Sequence, residues 1–318
     1  MFAPQFPYSS GNSRQLHDNF ENLAQQAQRW LEPGDLVVDI GANDGTLLSK
    51  FTDVRTVGVE PTGQCDKIDG PSCRGFFSEE MARMIRDTWG EAKVITACNV
   101  LAHVADIGDT MRGIALLLAD DGVLIAENHD LASVVDGQWD MVYHEHLRFY
   151  SPHSFHRLLD AHGLGIEEWK PTRTHGGSFR MIASKHGHNR PLWPDREYDF
   201  SRLAERAHIA RDKIRNACKG YAGIGATARG TTIINYCGLD VEDLECVCEV
   251  PQSDKIGHYI PGTRIPIVDE KILFDDPRPE VRPGLLLSWH MEDIIVPKLR
   301  ARGYTKPILV PLPEPHYV

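Results

Sequence analysis

Paired cysteines are what this sequence most plainly lacks. Its seven cysteines form no Cys-x-x-Cys, and the closest two, Cys246 and Cys248, alternate along a stretch that reads as a strand. Neither a zinc ribbon nor a disulfide framework is therefore expected, and no metal site is assigned. Long apolar runs are missing too: none approaches the roughly 20 residues of a membrane span. The opening Met1-Phe2-Ala3-Pro4-Gln5 lacks the basic-then-apolar order of a signal peptide. These absences point to a reducing cytoplasm. Positive charge is also short. With 34 Lys and Arg against 45 Asp and Glu, the formal net charge is −11, so the basic face that a nucleic-acid backbone demands is not there. A single phosphate group needs only a few local cations and stays open as a ligand. The length of 318 residues exceeds the usual single domain, and two lobes are the default.

The most informative segment present is Val37-Val38-Asp39-Ile40-Gly41-Ala42-Asn43-Asp44-Gly45. The apolar run Leu36-Val37-Val38 reads as a buried parallel strand that delivers Asp39 into a turn, where Gly41 and Gly45 let a ligand approach the backbone. Downstream, Thr56-Val57-Gly58-Val59-Glu60 reads as a second strand tipped by a carboxylate, placed to accept hydrogen bonds from a ribose diol. The turn is Gly-x-x-x-Gly with Asn43 inside, not the Gly-x-Gly-x-x-Gly that seats a pyrophosphate on a helix N-terminus. Asp39 would repel a pyrophosphate but hold a cationic amino-acid moiety. An ordinary strand-turn-helix with no ligand is the alternative, and the agreement of turn, acid and spacing weighs against it. The combination resembles the first motif of class I S-adenosylmethionine-dependent methyltransferases. There the glycines face the cofactor and the second-strand acid, here Glu60, holds the ribose hydroxyls.

The wider pattern is α/β. Ser13 to Leu31 reads as a helix, with Leu16, Phe20, Leu23 and Ala27 at helical spacing and Pro33-Gly34 ending it. Val94 to Ala97 and Gly122 to Glu127 read as the fourth and fifth strands around a helix at Met111 to Leu118. Strands separated by helices predict a parallel, doubly wound sheet with its ligands off the carboxyl ends. From about Asp136 the pattern changes to a stretch rich in aromatics and histidine. Helices follow at Ser151 to His162, opened by Ser-Pro, and at Leu203 to Cys218. A second alternating region, Gly223 to Ala226, Glu245 to Val247, Leu285 to Ser288 and Ile308 to Val310, predicts a smaller Rossmann-like α/β lobe. The expected domains are 1–185, binding the cofactor, and 186–318, contributing to the acceptor site.

Chemistry concentrates in Asp140-Met141-Val142-Tyr143-His144-Glu145-His146-Leu147. A phenol, two imidazoles and a carboxylate in succession suit general acid-base work near a cleft. A structural polar cluster or a metal site are the other readings, although a zincin helix needs its histidines four apart. His103, in Asn99-Val100-Leu101-Ala102-His103-Val104, follows the fourth strand, where a methyltransferase fold presents groups to cofactor and acceptor. His175-Gly176-Gly177-Ser178 offers backbone amides to an oxyanion or phosphate, or is a plain tight turn. In the second lobe, Gly223-Ile224-Gly225-Ala226-Thr227-Ala228-Arg229-Gly230-Thr231 is a further Gly-rich strand-turn-helix, a natural anion site. Lys255 to Thr263 combines a cation, an aromatic and a rigid turn, and by itself is only a loop.

Taken together these segments resemble the sugar C-methyltransferases of deoxysugar biosynthesis, over nearly the whole chain. The specific blocks are Asn99 to Val104, Glu127-Asn128-His129, Tyr143 to Leu147, Gly223 to Ala226, Asn235-Tyr236-Cys237-Gly238 and Tyr259-Ile260-Pro261-Gly262-Thr263. The resemblance implies a class I methyltransferase domain with a second α/β lobe, and S-adenosylmethionine as cofactor. It also implies methylation at carbon 3 of a nucleotide-linked 4-keto sugar, or a related nucleoside sugar. A carbon beside a ketone must lose a proton to become a nucleophile, and donors must stabilise the enolate oxygen. The resemblance places His146 as base, Tyr143 and Glu145 in support, and His103 as a second acid-base or enolate-stabilising group. Asp39, Gly41, Asn43, Gly45, Glu60, Asn99 and Leu101 would line the cofactor. Tyr8, Gly176, Arg180, Gly225, Arg229, Lys255, Tyr259 and Thr263 would bind the acceptor. One departure stands out: members of that family carry an N-terminal zinc module with paired cysteines, and this chain opens almost directly at the methyltransferase lobe. O- or N-methylation of a nucleotide, nucleoside or other natural-product precursor is the alternative.

Overall fold

The computed structural model describes residues 9–12, 14–275 and 282–318. These fall into two compact units. One takes in the described residues up to Leu131 together with Glu145–Arg196; the other comprises Ala132–His144 and the described residues from Glu197 onward. The sequence put the junction at 185/186. Two contacts explain the difference: Trp193 packs into the core of the first unit, and Asp140 is bound inside the second.

In the first unit the chain runs through α1 (Arg14–Ala27), β1 (Leu36–Ile40), β2 (Arg55–Glu60), β3 (Ser72–Arg74), α2 (Glu79–Trp89), β4 (Ala92–Cys98), α3 (Ile107–Leu117) and β5 (Leu118–His129). After the short α4 (Leu131–Val135), at the boundary between units, come α5 (Pro152–Asp160), β6 (Gly165–Thr172) and β7 (Ser178–Ser184). The sheet order is β3-β2-β1-β4-β5-β7-β6. This is the class I methyltransferase arrangement. Neighbours from β3 to β5 are parallel, as the sequence predicts, but β7 is antiparallel to both β5 and β6, so the sheet is mixed. The turn that reverses the chain is Thr174–Gly176 and Gly177, with His175, Gly176 and Gly177 at φ of 54°, 89° and 134°.

Burial on both faces follows from strand alternation. Val37, Val94, Val123, Ile125 and Ile182 meet Leu16, Phe20 and Leu23 of α1. The alternate residues Leu36, Val38, Ile40, Ile95 and Leu124 meet Ile85, Met111, Ile114 and Phe155. A polar clamp supplements the α1 packing. Glu127 on β5 faces Arg180 on β7, with side chains 0% and 1% exposed. Arg180 Nε donates to Glu127 at 2.6 Å, and its guanidinium also donates to the side-chain oxygens of Asn22, Gln26 and Asn19 on α1. Asn19 returns a hydrogen bond to the other Glu127 oxygen at 2.8 Å.

The second unit contains α6 (Leu203–Ala217), β8 (Tyr221–Ile224), α7 (Ala228–Cys237), β9 (Leu244–Glu249), β10 (Ile267–Asp269), α8 (Ile272–Asp275), β11 (Gly284–Leu286), α9 (Glu292–Ala301), β12 (Ile308–Val310) and β13 (His316–Tyr317). Its sheet, β10-β9-β8-β11-β12-β13, is parallel except for β13. This is the expected smaller α/β lobe, with its own core of Ala207, Ile214, Ile233, Val247, Leu285 and Ile308.

Replacing Arg180 with methionine would strand the Glu127 charge in a dry interior, a loss of about 3–5 kcal/mol. The melting temperature of the first unit should fall by roughly 10 °C, and Glu127→Gln in the same background should restore part of it. A thermal scan showing no loss for the single variant would refute the clamp.

Candidate active site

The donor side is built from the ends of β1 and β2. Asp39 sits opposite Thr96 of β4, whose hydroxyl donates to Asp39 Oδ1 at 2.6 Å. The carboxyl is 3% exposed. Burial pushes it up to about 7, with the Thr96 bond opposing the rise and the Glu60 charge adding to it. Gly41 follows at a φ of 72°, and a Cβ there would stand 2.7 Å from Val100 Cγ2, so only glycine fits. The Gly41 and Ala42 amides donate to Val59 O, which pulls the turn against the tip of β2. There Glu60 Oε2 accepts the Asn43 N–H at 2.9 Å and Oε1 the Thr62 N–H at 2.8 Å. Each oxygen keeps a further lone pair for a vicinal diol. The turn is itself covered: Asn43 Oδ1 accepts the Ser10 N–H, and Asp44 accepts from the Ser9 and Thr46 hydroxyls and the Gly11 N–H. Gly45 has a φ of 78° and lies close to Ile68.

Next along the carboxyl edge, Asn99 takes up a φ of 53° after β4, and its N–H donates to Glu127 O at 2.8 Å. Its side-chain oxygen is buried with no hydrogen-bond partner, as are both amide atoms of Asn128 at the end of β5. Buried polar atoms are rarely left unpaired unless a ligand or water completes them. A carboxyl raised by burial, a carboxylate with spare lone pairs and these amide atoms together fit S-adenosylmethionine, which carries a cationic amino-acid chain and a ribose diol. Leu101 is a correction to the expected set. Its side chain is fully buried in the apolar core and its carbonyl accepts from Tyr150, so it presents no surface to a cofactor.

The first unit also gathers four imidazoles. The ring of His146 lies 4.8 Å from His103 and 5.2 Å from His129, and His129 lies 5.1 Å from His175. His103 Nδ1 is 2.7 Å from Glu145 O; a carbonyl only accepts, so Nδ1 carries the proton. Burial pushes the His103 pKa down, against weaker opposing effects of the Glu145 carbonyl and charge. Glu145 thus bears on His103 through both its carbonyl and its charge. His146 is buried and Glu145 half-buried. Sequence reasoning quoted His129 and His175 inside motifs but gave them no role. His129 ends the fifth strand as His103 follows the fourth, a symmetry that could have flagged it.

The expected acceptor residues divide. Tyr8 lies outside the described residues. Gly176 belongs to the turn that carries His175. Arg180 is a correction: its donors are spent on Glu127 and α1, so none is offered to a substrate. Arg229 is a second. It is buried in the second unit, donating from Nε and Nη2 to the two oxygens of Asp140, each at 2.8 Å, and stacking over Trp289. Trp289 Nε1 completes the grip on Asp140 at 2.8 Å. Asp140 therefore fixes the 132–144 segment, Tyr143 included, within the second unit, whereas Glu145 and His146 belong to the first. Gly225, Lys255, Tyr259 and Thr263 all lie in the second unit, with Lys255 Nζ donating to Ala226 O at 2.8 Å and Tyr259 exposed.

Residues 11–168 match a family described as a methyltransferase domain, and residues 199–313 match the C-methyltransferase C-terminal domain. The C-methyltransferase NovU of Streptomyces niveus is 28% identical, over 91% of this chain and 74% of that protein. The solved S-adenosylmethionine-dependent methyltransferase of Clostridium acetobutylicum superposes with a TM-score of 0.43 at 10% identity, over 54% of this chain and 92% of that one. Magnesium protoporphyrin IX methyltransferase of Synechocystis, with bound S-adenosylmethionine, gives 0.39 at 15% identity, over 53% and 77%.

Because the Asp39 pKa is raised in the ligand-free fold, its stabilising contribution is complete below about pH 4 and is lost as pH climbs through about 7. Asp39→Asn should accordingly raise the melting temperature of the ligand-free protein at pH 8 and do little at pH 5, while weakening donor affinity about tenfold or more. Thermal scans at both pH values with titration calorimetry check this; a variant that binds the donor normally would sink the assignment.

Proposed function

The chain belongs to the S-adenosylmethionine-dependent C-methyltransferases, and from that premise we propose that its acceptor is a nucleotide-linked or nucleoside sugar. The methyl group goes to a carbon next to a ketone. Asp39, the Gly41–Gly45 turn and Glu60 would hold the cofactor, which when bound supplies an electrophilic methyl on a sulfonium. The observation that carries the reading is the imidazole cluster around His146 in the same unit as the donor turn. Deprotonating carbon beside a ketone needs a neutral base of moderate pKa, and imidazole meets that need near neutral pH.

His146 takes the proton from carbon. His103, its pKa pushed down by burial and its Nδ1 held by the Glu145 carbonyl, is the second acid-base or enolate-stabilising group. Tyr143 and Glu145, from the same stretch, stand in support of the base. The sugar assignment is supported by the resemblance of Asn99 to Val104 and Tyr143 to Leu147 to the sugar C-methyltransferases, and by the matching C-terminal domain.

In heavy water without S-adenosylmethionine, a 4-keto-sugar nucleotide that fits should exchange its carbon-bound proton for deuterium, read by mass spectrometry. His146→Ala should slow both exchange and methyl transfer by about 10²-fold or more with donor affinity unchanged. No exchange on any methylated acceptor would move the reaction to oxygen or nitrogen, and a variant that chiefly loses donor binding would remove His146 from the base role.

A further inference from the structure

The loop that carries His103 is fastened from the side chain of Arg148. Between β4 and α3 the chain at 99–106 takes up neither helix nor strand, and its turn is closed by the His103 N–H donating to Val100 O at 2.9 Å. The carbonyls of Leu101, Val104 and Ala105 converge on the half-buried Arg148. Its Nη1 donates to Val104 O and lies 3.5 Å from Leu101 O, and its Nη2 donates to Ala105 O at 3.2 Å. Tyr150 donates its hydroxyl to the same Leu101 carbonyl at 3.4 Å. Burial pushes that phenol's pKa up, and the Arg148 charge opposes the rise. Carbonyl dipoles that converge repel one another unless a cation stands where they meet. A guanidinium suits the place, because its planar fork presents several N–H groups at fixed angles and an ammonium does not.

The same short segment carries His146, two residues before Arg148. Between them the Leu147 N–H donates to Ala102 O at 2.9 Å. One residue before His146, the Glu145 carbonyl takes the His103 Nδ1–H at 2.7 Å. These two single hydrogen bonds meet the loop at Ala102 and at the His103 ring. The guanidinium does something they do not: it binds Leu101 on one side of His103 and Val104 and Ala105 on the other. The product of the three attachments is a separation of 4.8 Å between the rings of His103 and His146. Every group involved belongs to the first unit.

We infer that Arg148 is a positioning residue of the reaction: by binding the carbonyls on both flanks of His103 it fixes that imidazole against His146. The inference rests on the reading of His146 as the base. In this role Arg148 acts through the two histidines and needs no contact of its own with donor or acceptor.

Three measurements on the intact protein and on Arg148→Ala and Arg148→Lys test it: nitrogen NMR of the histidine rings, calorimetry with S-adenosylhomocysteine, and deuterium exchange on the 4-keto-sugar nucleotide. In the unsubstituted protein His103 should show its proton on Nδ1. In Arg148→Ala that signal should give way to a mixture of the two neutral ring forms. Exchange and methyl transfer should each slow by about 10²-fold, the scale of an ångström's misplacement. S-adenosylhomocysteine affinity and the acceptor KM should change by about twofold or less, as befits a loss confined to the chemical step. Guanidinium added well below denaturing concentration should restore the His103 signal and part of the rate in Arg148→Ala, and neither should return in Arg148→Lys. An unchanged His103 signal, an unchanged rate, a rate loss accompanied by lost S-adenosylhomocysteine affinity, no rescue by guanidinium, or full rate in Arg148→Lys each overturns the assignment. The reading it rests on fails separately: exchange at the unsubstituted rate in His146→Ala removes the base, whether or not the His103 signal depends on Arg148.

Discussion

Glu127 and Arg180 meet across β5 and β7 with essentially no access to water, and most of the first unit's working edge hangs on that contact. A buried pair of this kind is tolerable only when its remaining donors and acceptors are satisfied. Here the amides of Asn19, Asn22 and Gln26 on α1 do so. The pair thereby fixes the helix above the sheet and the antiparallel register of β7 in one arrangement. Consequences follow directly. The Glu127 carbonyl receives the Asn99 amide, which sets the backbone after β4 from which His103 projects. Two residues beyond Glu127, His129 is delivered next to His146 and His175. Apolar packing alone would leave α1 free to settle in several ways, and the charge pair selects one.

The two units share a strand order but differ in the charges at the corresponding turns. In the first, a carboxyl buried without a positive partner stays near neutrality in its pKa until a cation arrives. In the second, glycine replaces that carboxyl and Lys255 lies over the turn. The strand order is common to both, and the difference in charge rests on very few side chains.

Much of this was legible in the sequence because it depends on local rules. The alternation of Val37 against Val38, the glycines with positive φ, the acid at the end of β2 and the Ser151-Pro152 helix start are each decided by a residue and its near neighbours. What the sequence hid depends on partners far along the chain. Arg180 and Arg229 were expected to bind the acceptor, since an arginine looks the same in sequence whether or not a carboxylate awaits it. The carboxylates were Glu127, 53 positions away, and Asp140, 89 positions away. Leu101 failed differently: its motif was recognised, but whether a leucine faces a ligand or the core is a matter of side-chain direction that the motif does not state. The antiparallel β7 was missed because its direction is set by the turn at His175 to Gly177, which read as either an anion site or a plain turn.

The division of the Tyr-His-Glu-His stretch has a physical cause. Asp140, fully buried, is gripped by Arg229 and Trp289, so the chain up to His144 is anchored in the second core. From Glu145 onward it is anchored in the first, where Leu147 N–H donates to Ala102 O and the Glu145 carbonyl holds the His103 ring. A phenol and an imidazole three residues apart thus take their positions from different cores.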